Sequence, residues 1–232
     1  MARSAVADEE VFVLLRSVPN LLGIFRILAT PIMVWLVLQD TSFGYYGAIT
    51  ILLLMAASDI ADGPIARRLG VVSPQGVFLD TISDKIFVAG ALIPMVQVGL
   101  ISSWIALVVI VRDFAVSGLR SFAAAEGVVI SARQWGKQKL VITVVAIVWV
   151  LLAAAYLGTD APAFQVPPGD WSGLGLLVAW GLSIWPIPMA LMLAWTIFSG
   201  AEYFWKAWPL LVAKLVPEPT PAATPPQKSP LK

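Results

Sequence analysis

The sequence contains no cysteine and no histidine. The first absence excludes disulfides and thiolate zinc sites, and the second excludes a histidine general base; together they remove every Ser/His or Cys/His nucleophile arrangement. Acid–base work falls to Asp, Glu, Lys or Tyr. Charge is also scarce: Asp, Glu, Lys and Arg make up 12% of the 232 residues against 59% hydrophobic residues, and the mean hydropathy is +0.87. Long apolar runs with so little charge point to a bilayer as solvent. Asp8, Glu9 and Glu10 come early and no short apolar run ends in a small-residue cleavage site, so the amino terminus does not read as a cleavable signal peptide.

What is present is a series of apolar stretches separated by short turns. Val11, Leu14, Leu15 and Val18 recur at helical spacing with charges opposite, which predicts a short amphipathic helix over 8–18 lying in the membrane interface. Six transmembrane helices are expected after it, over about 20–39, 43–69, 78–98, 104–127, 140–157 and 174–204. Twenty helical residues span roughly the 30 Å hydrocarbon core. Pro186 and Pro188 should kink the sixth. The fold class is therefore an all-α integral membrane protein with six transmembrane helices and an N-terminal interfacial helix. The chain divides into an N-terminal segment (1–19), a transmembrane catalytic domain (20–215) and a Pro-rich tail (216–232) too poor in apolar residues to pack.

Lys and Arg concentrate before the first helix, between the second and third, between the fourth and fifth, and after the sixth, while the alternate loops hold none. The positive-inside rule puts both termini on the cytoplasmic side of the cell membrane, with the end of the second helix. No internal repeat suggests an inverted-repeat transporter.

The acids gather in one stretch, DIADGPIARRLGVVSPQGVFLDTISD, from Asp59 to Asp84. On a helix Asp59, Asp62, Gly63, Ala66 and Arg67 share one face, as do Asp80 and Asp84 on the next. Antiparallel packing of those two helices about a turn at 74–76 would bring all four carboxylates into one pocket. A charge at the bilayer centre costs about 2.5–3.5 kcal/mol on insertion scales, and four anions repel one another as well. Arg67 alone cannot balance them. Oxygen-only ligands suit Mg²⁺ or Mn²⁺, and four carboxylates are enough for two ions, a clamp suited to phosphoryl transfer. Gly63 and Ala66 would let a phosphate approach the backbone.

The spacing Asp59-x2-Asp62-Gly63-x2-Ala66-Arg67-x8-Gly76-x3-Asp80-x3-Asp84 resembles the full signature of the CDP-alcohol phosphotransferase family. The resemblance implies a six-helix membrane fold, a homodimer, and attack of an acceptor hydroxyl on a CDP-alcohol with release of CMP. It implies that Asp59, Asp62, Asp80 and Asp84 ligate metal and that Asp84 is also the general base. Asp62, Gly63, Ala66, Arg67 and Gly76 would line the CDP pocket. The segments VPNLLGIFRILATP, RDFAVSGLRSFAAAEG and WGKQK resemble the branch whose donor is CDP-diacylglycerol and whose acceptor is glycerol 3-phosphate. Gly23 and Leu140 stand where that branch often has threonine.

An acceptor that carries a phosphate needs cations beside the acids, and Arg112, Arg120, Arg133, Lys137 and Lys139 are the candidates. Arg26 either snorkels to the interface or contacts substrate phosphate. Arg112 and Asp113, as neighbours on a helix, point about 100° apart and need not pair with each other. The expected partners are membrane lipids and the two substrates, with no nucleic acid. Inositol phosphate or serine as acceptor is the nearer rival, and a cation or proton-coupled transporter with intramembrane acids the more distant one.

Overall fold

The computed structural model describes residues 2–68, 74–128, 135–161, 163–169 and 172–215; side chains are described only from residue 20 onward and not at 65–75, 77, 135–137, 210, 211 and 213–215. The described residues form seven helices and no strand: α1 (Ala2–Leu38), α2 (Ser42–Arg68), α3 (Pro74–Gln97), α4 (Ser103–Ala125), α5 (Trp135–Leu157), α6 (Leu174–Ser183) and α7 (Pro186–Leu215). Among the described residues, four stretches are long and apolar enough to cross a membrane: Asn20–Leu38, Ser42–Pro64, Gln138–Leu157 and Leu174–Pro209. The outer surface agrees, with Phe43, Trp104, Leu177 and Trp205 each more than two-thirds exposed. In water such a surface would aggregate; in lipid it is solvated.

Three boundaries differ from expectation. Residues 2–38 are one continuous helix, so the backbone has no break after residue 18; the expected amphipathic face at 8–18 lies outside the residues whose side chains are described. Helix α5 begins at Trp135, which puts Lys137 and Lys139 on a helix instead of in a loop. The last apolar stretch is broken rather than kinked, into α6 and α7. Pro186 has no N–H to donate back and its fixed φ suits a first helical position, so it opens a new helix. The tail expected to be disordered, 216–232, lies outside the described residues.

Helix α1 packs along both α2 and α3, which touch each other little. It lies as a wedge between the two acidic helices. Close approach of α1 to α3 depends on Gly90, where a Cβ would meet Thr30 Cγ2 at 2.2 Å; one at Gly23 would make only ordinary contact with Leu79 Cβ at 3.4 Å. Overpacking of this kind costs about 1–3 kcal/mol. Gly90→Ala should therefore lower the melting temperature in detergent, and Thr30→Ser, which removes the offending methyl, should restore most of the loss when combined with it. Additive effects in the double variant would contradict this packing.

The core runs through Met33, Leu52, Met55, Phe87, Leu92 and Ile147 and joins α1, α2 and α3 to α5. Helix α5 packs in turn on α7, and α4 on both α3 and α7. Helix α4 ends where Gly127 takes φ 72°; the N–H of Val128 donates to Ala123 O at 2.9 Å and that of Gly127 to Ala124 O at 3.1 Å. Only glycine enters that left-handed turn without strain.

Candidate active site

Asp59 and Asp62 sit one turn apart near the end of α2, and Asp80 lies near the start of α3. One carboxylate oxygen of each falls within 4.8 Å of the other two. Three of the four expected aspartates therefore converge. The wedge position of α1 adds a group the spacing did not predict there: the Arg26 guanidinium, fully buried. Its Nη1 donates to Asp59, and its Nη2 donates to Asp62 Oδ2 at 2.5 Å and to Asp80 Oδ1 at 3.2 Å. Arg26 thus neither snorkels nor is free to meet a substrate in this arrangement. Its side chain is turned into the bundle, while Thr30 Oγ1 donates to the Arg26 carbonyl at 2.7 Å.

Among the described side chains, three carboxylates face one guanidinium, an excess of two negative charges. The donors are all oxygens, the cluster is close-set, and Asp80 opens it to the outside with 54% of its side chain exposed. Hard divalent cations such as Mg²⁺ or Mn²⁺ fit that donor set.

Asp84 is not part of the triad. It lies one turn deeper on α3, half-buried, within electrostatic reach of Lys139, Asp113, Lys85 and Asp80. Two of these, Lys139 and Asp113, belong to a second polar group. Lys139 Nζ, buried on α5, donates to both carboxylate oxygens of Asp113 on α4. Arg112 Nη1 donates to Asp113 Oδ1 at 3.2 Å and Nη2 to Ser199 Oγ of α7 at 2.9 Å. The two neighbours on α4 do pair, because the long arginine side chain folds back over the 100° between them. Tyr203 faces the same guanidinium, its ring centroid 6.0 Å from Cζ, and Gly200 leaves room for it: a Cβ there would lie 2.9 Å from Arg112 Cγ.

Of the other expected residues, Gly63 and Gly76 are half-buried and Arg120 is exposed two turns beyond Arg112. Ala66 and Arg67 lie on α2 and Lys137 on α5, with side chains outside the described ones; Arg133 lies outside the described residues altogether. Ser199 and Tyr203, which seat Arg112, carried no local signal in a stretch that reads as one more apolar helix. Arg26 did carry one, as the single charge between residues 17 and 39.

An all-helical membrane protein with an oxygen-ligand cluster at one end of its bundle is the class that fold and site define. The CDP-alcohol phosphatidyltransferase family matches residues 16–185, a span that contains the whole aspartate stretch. The chain belongs to that family. Among curated proteins it is similar to a CDP-diacylglycerol–glycerol-3-phosphate 3-phosphatidyltransferase of Bacillus subtilis (strain 168), 30% identical over 207 residues that cover 84% of this chain and 97% of the relative. It is similar to a protein of the same description from Pseudomonas fluorescens, 35% identical over 188 residues, 77% of this chain and 90% of the relative. A cardiolipin synthase (CMP-forming) of Oryza sativa subsp. japonica is 28% identical over 198 residues, 79% of this chain and 59% of the relative.

Proposed function

We propose that the protein transfers a phosphatidyl group from CDP-diacylglycerol to glycerol 3-phosphate, giving phosphatidylglycerol phosphate and CMP. The observation that carries this reading is the convergence of Asp59, Asp62 and Asp80 in a chain whose nearly full-length relatives are described as enzymes of that reaction.

In this reading the acceptor hydroxyl gives its proton to the Asp84 carboxylate as its oxygen attacks the phosphorus that bears the diacylglycerol. The bond from that phosphorus to the oxygen of CMP breaks, and CMP leaves with the electron pair. Divalent ions held by Asp59, Asp62 and Asp80, with Asp84 contributing, would neutralise the pyrophosphate and the charge that grows on CMP. Whether Mg²⁺ or Mn²⁺ serves, and whether two ions bind, belongs to this proposal. Asp62, Gly63, Ala66, Arg67 and Gly76 would border the cytidine and its phosphates. Arg112 and Lys139 share the single carboxylate of Asp113 and so keep a net positive charge beside Asp84, where an acceptor phosphate needs it; Arg120, Arg133 and Lys137 would add to the field on that side.

The membrane arrangement follows the same logic. Helices α3 and α4, at 24 and 23 residues, match the bilayer in length. Each carries three charges, Asp80, Asp84 and Lys85 on α3, and Arg112, Asp113 and Arg120 on α4. Charges that serve a site keep such helices from looking apolar. Counting them gives six spans, α6 and α7 together forming the last. Residues 20–215 are the catalytic domain, preceded by an interfacial segment and followed by the Pro-rich tail. The Lys and Arg distribution sets both termini and the site on the cytoplasmic face of the cell membrane, and a homodimer is the assembly proposed.

CMP release by purified protein, given CDP-diacylglycerol and one acceptor at a time, tests the reading. Turnover is expected with glycerol 3-phosphate and not with serine, inositol 1-phosphate or phosphatidylglycerol. Preference for any of those three would replace the acceptor and leave the reaction class.

A further inference from the structure

The placement of Arg26 has a chemical consequence for the acidic triad. Its two terminal nitrogens engage all three carboxylates, the groups that offer oxygens within 4.8 Å of one another to an ion. A guanidinium and a divalent cation on the same three carboxylates oppose each other, because like charges a few Å apart in a poorly solvated site repel strongly. The arginine's side-chain hydrogen bonds are all at its far end. Its Nε is buried and has no hydrogen-bond partner among the described residues, so the three carboxylates are the guanidinium's hydrogen-bond acceptors. Asp80, the partner with the longest contact, is the exposed one, which leaves an entry path on that side.

We propose that Arg26 is an internal competitor for the metal site: a tethered cation that occupies the carboxylate triad and must be displaced for a divalent ion to bind. This rests on the reading of Asp59, Asp62 and Asp80 as metal ligands. Its consequence is a metal requirement set by competition within the chain as well as by the ligands. A tethered cation also neutralises part of the anionic cluster while the chain folds and inserts, when a bare triad would be most costly.

The test is Mn²⁺ binding to purified protein, read from the electron paramagnetic resonance signal of free Mn²⁺, together with the melting temperature with and without Mn²⁺. Arg26→Met removes the competitor, so Mn²⁺ should bind on the order of tenfold tighter or more than to wild type. The variant should also melt lower than wild type in EDTA and gain more from Mn²⁺. Arg26→Lys keeps one charge but loses the fork that bridges three carboxylates, so its affinity should fall between the two; it serves as the comparison if the methionine variant does not fold. Equal or weaker Mn²⁺ binding in the folded variants overturns the competition and leaves the metal reading intact. Absence of saturable Mn²⁺ binding in both wild type and variants overturns the metal reading and the competition with it.

Discussion

Asp62→Asn should reduce CMP release by about 10³-fold, as expected when an electrostatic clamp on a transferring phosphoryl group loses one of its main anchors. Of the three converging carboxylates, Asp62 is the least exposed, at 11% of its side chain against 15% for Asp59 and 54% for Asp80. Water therefore has least room to substitute for its oxygen. The variant should nevertheless be no less stable than wild type. Asparagine keeps the shape and one oxygen, and the change removes a negative charge from a cluster in which, among the described side chains, anions outnumber cations by two, easing a repulsion instead of breaking the last contact of Arg26. Activity and stability thus move independently, and melting curves alongside turnover will show it. A variant that loses activity only because it unfolds would mean that the triad is a structural polar network.

Asp84→Asn should lower kcat by about 10²- to 10⁴-fold, the range for removal of a positioned general base, with KM for both substrates changed only a few-fold. The structure separates this residue from the triad. Asp84 stands a turn beyond Asp80 and is not among the three carboxylates that converge, so its loss should disturb Mn²⁺ binding less than the loss of Asp62 does. In the proposed reaction a carboxylate near both Lys139 and Asp80 would take the proton of an acceptor hydroxyl whose phosphate Arg112 and Lys139 would hold. Undiminished kcat would remove Asp84 from the base role. A loss of Mn²⁺ binding equal to that of Asp62→Asn would make it chiefly a ligand.

The aspartate cluster was legible from the sequence because helical periodicity is local: i, i+3 and i+4 positions share a face whatever the helix packs against. Which helices adjoin is not local. Antiparallel contact between α2 and α3 was the natural expectation for neighbours joined by a short link, yet α1 lies between them. That is how Arg26 of α1 comes to be a counter-ion of the cluster. A single arginine in an apolar helix looks the same whether it snorkels outward or turns inward; the deciding groups lie 33 to 54 residues away.

The start of α5 shows the same limit. Trp-Gly-Lys-Gln-Lys reads as a polar loop, and only the pairing of Lys139 with Asp113, 26 residues earlier, makes burial of a lysine there acceptable. At Pro186 and Pro188 the sequence predicts a disruption but not its size, since sequence alone does not distinguish a kinked helix from two.

The product itself tests the central claim most directly. Purified protein reconstituted with CDP-diacylglycerol, glycerol 3-phosphate and Mg²⁺ should yield phosphatidylglycerol phosphate and CMP in equal amounts, identified by mass spectrometry, and should yield neither once EDTA is added. CMP formed without a matching lipid product, a lipid carrying a different headgroup, or turnover that persists in EDTA would contradict it.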